Sequence, residues 1–176
     1  MFSFLGLLIS GVAILLAHPR FYWGETGSVL TPSLFDLPLP FVLTGQTGWG
    51  RYLHFLSAWV CVFTGLIYVV SGVRTKHLRN DLLRAGGPHY NPLQRGAYIG
   101  VIFFLFPLMI WTGLAMSPAL TSVLPPLVTT FGGQQSARTI HFFAACLLVL
   151  FLLVHVSMVS LNGFKPRMRA MITGAP

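Results

Sequence analysis

Apolar residues gather into four blocks, near residues 2–17, 52–72, 96–115 and 139–161, and the segments between them carry the charge. Three of the blocks approach the ~20 residues that a helix needs to cross a bilayer. The pattern therefore predicts an all-α integral membrane protein, a four-helix bundle forming a single transmembrane domain over residues 1–176. The first block, Phe2 to Ala17, is short for a span and starts beside Met1 with no anchoring charge, so it is expected to be the remainder of a longer helix. It is not read as a secretory signal, because no positive residue precedes it. Pro107 lies inside the third block and is expected to kink it unless a neighbouring helix satisfies the freed carbonyl. The proline- and glycine-rich stretch after Arg20 reads as a loop, and the apolar connection from Met116 to Ser136 as a segment lying at the membrane interface.

Composition strengthens this reading. Hydrophobic residues make up 55% of the chain and charged residues 8%, with a mean hydropathy of +0.76, against roughly 25% charged in soluble domains. A net charge of +8 raises the possibility of nucleic acid, but the placement of the cations excludes it. Eight of the eleven basic residues fall in two segments: Arg74, Lys76, Arg79, Arg84 and Arg95 between the second and third blocks, and Lys165, Arg167 and Arg169 after the fourth. The positive-inside rule makes these segments, and with them both termini, cytoplasmic. A protein that crosses a membrane several times is expected. Cys61 and Cys146 sit in apolar blocks and are given a packing role, and the absence of Cys-x-x-Cys-His excludes covalent c-type haem attachment.

Of six histidines, His54, His141 and His155 fall within the spans, where an imidazole is costly and usually functional. His141 and His155 are 14 residues apart, which on a helix is ~21 Å of rise and nearly four full turns. One face thus carries two imidazoles at two depths. His54 follows Arg51 by three residues, and His141 follows Arg138 by three, each at the external start of its span. The two histidines are therefore expected at one depth, the arrangement for bis-histidine ligation of a haem. In the shared pattern Arg-x-x-His-Phe, each Arg lies on its His face one turn nearer the surface, suited either to haem propionates or to anchoring the helix end by snorkelling. Gly65, Gly100 and Gly113 permit close helix packing or leave room for a porphyrin face. Tyr68 stands where a second inner histidine would fall on the second span, so His155 finds no partner there.

Several stretches carry a resemblance: His18-Pro-Arg-Phe-Tyr-Trp-Gly24, Arg51-Tyr-Leu-His54-Phe, Tyr90-Asn-Pro-Leu-Gln-Arg95, Thr112-Gly-Leu-Ala-Met-Ser-Pro118 and Gln135-Ser-Ala-Arg-Thr-Ile-His141. Together they resemble the b-type cytochromes grouped as bacterial cytochrome b561 and nickel-hydrogenase cytochromes, which include formate dehydrogenase gamma and thiosulfate reductase cytochrome b subunits. The chain looks most like the cytochrome b/b6-domain proteins of that group. The resemblance implies two haems. The second-span histidine would pair with the outer histidine of the fourth span, and the inner one with a histidine near the start of the first span. His54, His141 and His155 match three of these four, and the fourth would fall before Met1. One complete haem b site is thus expected in this chain, and two if a histidine lies upstream.

The resemblance also implies electron transfer between membrane quinone and an external partner oxidoreductase, often a molybdoenzyme or hydrogenase. No nucleophile–base pair, carboxylate pair or phosphate loop is present, so an electron-carrying subunit is expected rather than a complete enzyme. The alternative is a haem-free membrane anchor or assembly factor whose histidines only hydrogen-bond between helices.

Overall fold

The computed structural model of the chain describes residues 2–25, 27, 30–39, 47–76 and 92–161. His77 and His89, and the basic residues Arg79, Arg84, Lys165, Arg167 and Arg169, lie outside them. Sixteen residues free of charge and proline form α1, Phe2–Ala17, which stops where Pro19 removes a donor and excludes the helical conformation from the residue before it. Helix α2 runs Thr47–Arg74, and α7 runs Gln134–Leu161. Both extend several residues beyond their apolar blocks, because the polar first turns that hold Arg51 and Arg138 stay helical. The third span, Leu93–Ala115, consists of α3 (Pro92–Gly100), a π-helical turn at Val101–Leu105 and α4 (Phe106–Ala115). Pro107 has no N–H to offer the Phe103 carbonyl. The chain widens just before it, and the Phe106 N–H bonds to the Val101 carbonyl five residues back.

Three helices are thus long and apolar enough to cross a membrane, with α1 as a shorter apolar fourth. Their outward faces are apolar, with Leu5, Ile9, Phe63, Leu66, Leu150 and Leu153 all exposed, as hydrocarbon surroundings require. Small residues fill the contacts between helices instead. On α1, Gly6 lies against Ser57 of α2, and a Cβ placed on Gly50 would lie 3.4 Å from Ala13. Thr112 and Ala115 of α4 and Ala137, Ala144 and Leu148 of α7 are likewise buried. The helices associate in two pairs, α1 with α2 and α4 with α7. Among the described residues the backbones of α2 and α7 make few or no close contacts with each other.

One end of the bundle is closed by the chain after α1. Arg20–Phe21 (β1) pairs antiparallel with Phe35–Asp36 (β2), and the Arg20–Asp36 ion pair at 3.5 Å is exposed and adds little. The connection from Met116 to Ser136, expected to lie at the interface, contains two single helical turns, α5 (Pro118–Thr121) and α6 (Pro126–Thr129). Gly133 ends it at φ +130°, and a Cβ there would overlap the backbone of Gly24 and Glu25. Gly133→Ala should therefore cost about 1–3 kcal/mol from the backbone conformation alone, with the clash in addition. Thermal denaturation in detergent would measure the loss, and an unchanged midpoint would remove Gly133 from this role.

Candidate functional site

The start of α7 is held by residues far away in sequence. The Gly24 carbonyl accepts the N–H groups of Gln135 at 3.0 Å and Ser136 at 3.3 Å, and the Ser136 hydroxyl accepts the Gly24 N–H at 2.7 Å. This satisfies donors that a helix start leaves without partners. Thr139 donates to the Tyr22 carbonyl at 2.8 Å, and Phe21, 1% exposed, stacks between Phe35 and Phe142 with ring centroids 4.7 and 4.5 Å away. The segment after α1 thereby fixes the depth and rotation of the turn that carries His141.

His141 of α7 and His54 of α2 face each other between the helix pairs, ring centroids 6.2 Å apart and planes at 62°. Metal–nitrogen bonds of about 2 Å on each side, plus about 1 Å from each nitrogen to its ring centre, give bis-imidazole ligation a centroid separation of about 6 Å. The spacing suits one metal ion between the rings. Among the described residues no group of three or more His, Cys, Asp or Glu could hold a metal. Both imidazoles are tied down through Nδ1: His54 meets the Ser10 hydroxyl at 3.0 Å, and His141 meets the Thr112 hydroxyl at 2.8 Å. In neither case is a hydrogen bond to Nε2 seen among the described residues. Gly113 abuts the His141 ring, where an added Cβ would lie 3.6 Å from Cε1, whereas nothing lies within 4 Å of one added at Gly65 or Gly100.

The cations expected above this pair are present, with one addition. Arg138 donates to the carbonyls of Arg20, at 2.9 Å, and His18, and its guanidinium lies 4.8 Å above the Phe21 ring. Part of its donor set is thus spent on the chain after α1, and three of five N–H groups remain. Arg51 is exposed and makes no hydrogen bond or ion pair among the described residues. His18 lies between them: burial first, then the charges of Arg138 and Arg51, push its imidazole below the usual range. Three basic side chains therefore share one small region beside the His54–His141 pair.

His155 stands apart, lower on α7. Its Nδ1 meets the Tyr98 hydroxyl at 3.0 Å, and Phe151 stacks beside it at 6.0 Å and 14°. The hydrogen-bond partner of its Nδ1 is thus on α3. Sequence reasoning does not single out Ser10, Thr112, Tyr98 or His18 as site residues. The available signal is a hydroxyl within an apolar block, which is weak because each block holds more than one and such hydroxyls commonly bond to their own helix.

A family model described as prokaryotic cytochrome b561 matches residues 1–174. The chain belongs to the prokaryotic cytochrome b561 family. Among curated proteins it is similar to a putative protein-methionine-sulfoxide reductase subunit, YedZ1, from Azospira oryzae, 32% identical over 147 residues that cover 72% of this chain and 73% of the relative. No solved structure matches. With three helices long and apolar enough to span a bilayer, the chain is a multi-pass membrane protein of a family that typically binds b-type haem.

Proposed function

We propose that this protein is a membrane-bound b-type cytochrome subunit in which His54 and His141 hold haem b between the helix pairs and carry electrons between the quinone pool and an external partner oxidoreductase. The observation that carries the reading is the facing imidazole pair at 6.2 Å, each ring anchored through Nδ1. Haem bound there supplies a one-electron iron couple. The chain contributes the axial nitrogens, their orientation and an apolar surround that keeps water from the metal. His155, with Nδ1 on Tyr98, offers a further Nε2 deeper in the bundle and is assigned to a second haem. The name of the similar protein, a reductase subunit, supports a partner that performs the bond chemistry. That partner docks at the end bearing β1 and β2, and the protein sits in the bacterial inner membrane as one transmembrane domain.

The deciding experiment is a visible spectrum of protein purified from haem-replete cells. A Soret band with sharp α and β bands on reduction is expected, and a colourless protein would sink the reading.

Arg51 and Arg138 place positive charge where haem propionates, carboxylates leaving water, need charge-assisted hydrogen bonds. A cation favours the reduced form, so Arg51→Gln and Arg138→Gln should each lower the midpoint potential. A charge about 8 Å from iron at an effective dielectric of about 20 is worth about 2 kcal/mol, close to 90 mV for one electron. The half-buried Arg138 should approach that shift, and the exposed Arg51 should fall well short of it because water screens it. Redox titration reads both, and two unchanged potentials would count against propionate pairing.

A further inference from the structure

We propose that Ser10 and Thr112 are positioning residues that lock the facing imidazoles of His54 and His141 in the tautomer and rotation that present a bare Nε2 to iron, an inference that rests on the haem reading above. Each residue is 0% exposed, and each stands on the neighbouring helix of its own pair: Ser10 on α1 serves α2, and Thr112 on α4 serves α7.

The tautomer follows from counting protons. A hydroxyl has one hydrogen to donate and two lone pairs to accept with. The Ser10 hydroxyl lies 2.6 Å from the Gly6 carbonyl, and the Thr112 hydroxyl lies 2.7 Å from the Leu108 carbonyl. A carbonyl only accepts, so each hydroxyl spends its hydrogen on its own helix. The second contact, to Nδ1 at 3.0 Å for His54 and 2.8 Å for His141, must then use a hydroxyl lone pair, and the imidazole is the donor. With the ring proton on Nδ1, Nε2 carries the lone pair, as an axial ligand requires.

Back-bonding to the residue four before is ordinary for a serine or threonine in an apolar helix. It accounts for the first contact and not for the second, which reaches an imidazole on another helix. Nor does it account for the repetition. In both pairs a hydroxyl residue is followed directly by a glycine, and that glycine lies against Cε1 of the same ring, with an added Cβ at 3.9 Å for Gly11 and 3.6 Å for Gly113. The hydroxyl fixes one edge of the imidazole while the glycine leaves room for the adjacent one. A hydroxyl, that of Tyr98, also meets Nδ1 of His155.

A donor bond from Nδ1 makes the imidazole more electron-rich, which favours ferric over ferrous iron, and loss of an outer partner of this kind typically weakens metal binding 10–100-fold. The test compares the wild-type chain with Ser10→Ala and Thr112→Val in membranes of haem-replete cells, reading haem retention, the ferric electron paramagnetic resonance spectrum and the midpoint potential. Each variant should retain haem about tenfold less tightly. If that loss falls on the ferric form, the potential rises by about 59 mV. Ser10→Thr and Thr112→Ser keep the acceptor and should restore retention, spectrum and potential together. Haem-loaded Ser10→Ala and Thr112→Val with unaltered spectrum and potential would overturn the inference, and so would equal haem loss in the conservative variants. A wild-type chain that takes up no haem would instead defeat the haem reading on which it stands.

Discussion

Alanine at either His54 or His141 should abolish one and the same haem. The two rings face each other at 6.2 Å from opposite helix pairs, so on the haem reading each pair would supply one of the two iron ligands. With one imidazole removed, the other would have to hold a haem alone, whereas both rings together would tie it to both halves of the bundle. Low-temperature difference spectra should show the same α band missing in both variants. Cys146→Ser, exposed on the same helix as His141, should keep it. Loss of spectrally distinct haems in the two histidine variants would show that the residues serve different sites, and full retention in both would show that neither is a ligand.

How far the sequence reveals this arrangement depends on which interactions are local. The Arg-x-x-His-Phe repeat places His54 and His141 one turn after Arg51 and Arg138, and both histidines lie about two turns inside helices that start at Thr47 and Gln134. The extent of the helices is less legible. An apolar block marks what hydrocarbon surrounds, whereas the backbone remains helical through Gly48–Arg51 and Gln134–Arg138, so hydropathy stops before the helix does. At Pro107 the missing donor is visible in sequence. Its accommodation by a π-turn rather than by a neighbouring helix depends on how the backbone redistributes its bonds over Val101–Phe106.

Long-range polar partners are the least legible. Arg138 reads as a propionate ligand or an anchor, yet in the structure it also grips the carbonyls of His18 and Arg20, a contact that spans most of the chain and exists only because the short ribbon returns to α7. Two-residue strands leave no alternation to detect. Ser10 and Thr112 are individually indistinguishable from hydroxyls satisfied on their own helices. Only the packing of α1 on α2 and of α4 on α7 brings them to imidazoles.

That ribbon is where a mutation far from the metal should be felt most. Phe21 is 1% exposed, stacked at 9° on Phe35, packed at 4.5 Å against Phe142 and covered by the Arg138 guanidinium. Truncating such a ring typically costs 3–5 kcal/mol, from forfeited transfer energy and from a cavity that its neighbours only partly fill. Phe142 directly follows His141, so removing the ring loosens the ligand-bearing turn from the segment between His18 and Gly24. Phe21→Ala should therefore lower the temperature at which the Soret band disappears by several degrees or more, since about 1 kcal/mol moves the midpoint by about 2–4 °C in a chain of this size. Phe21→Leu, which keeps most of the apolar volume but not the stack, should lie between the two. The haem that fails first on heating should be the one missing in His54→Ala. Wild-type thermal behaviour in Phe21→Ala would mean that the ribbon rests on α7 without supporting it.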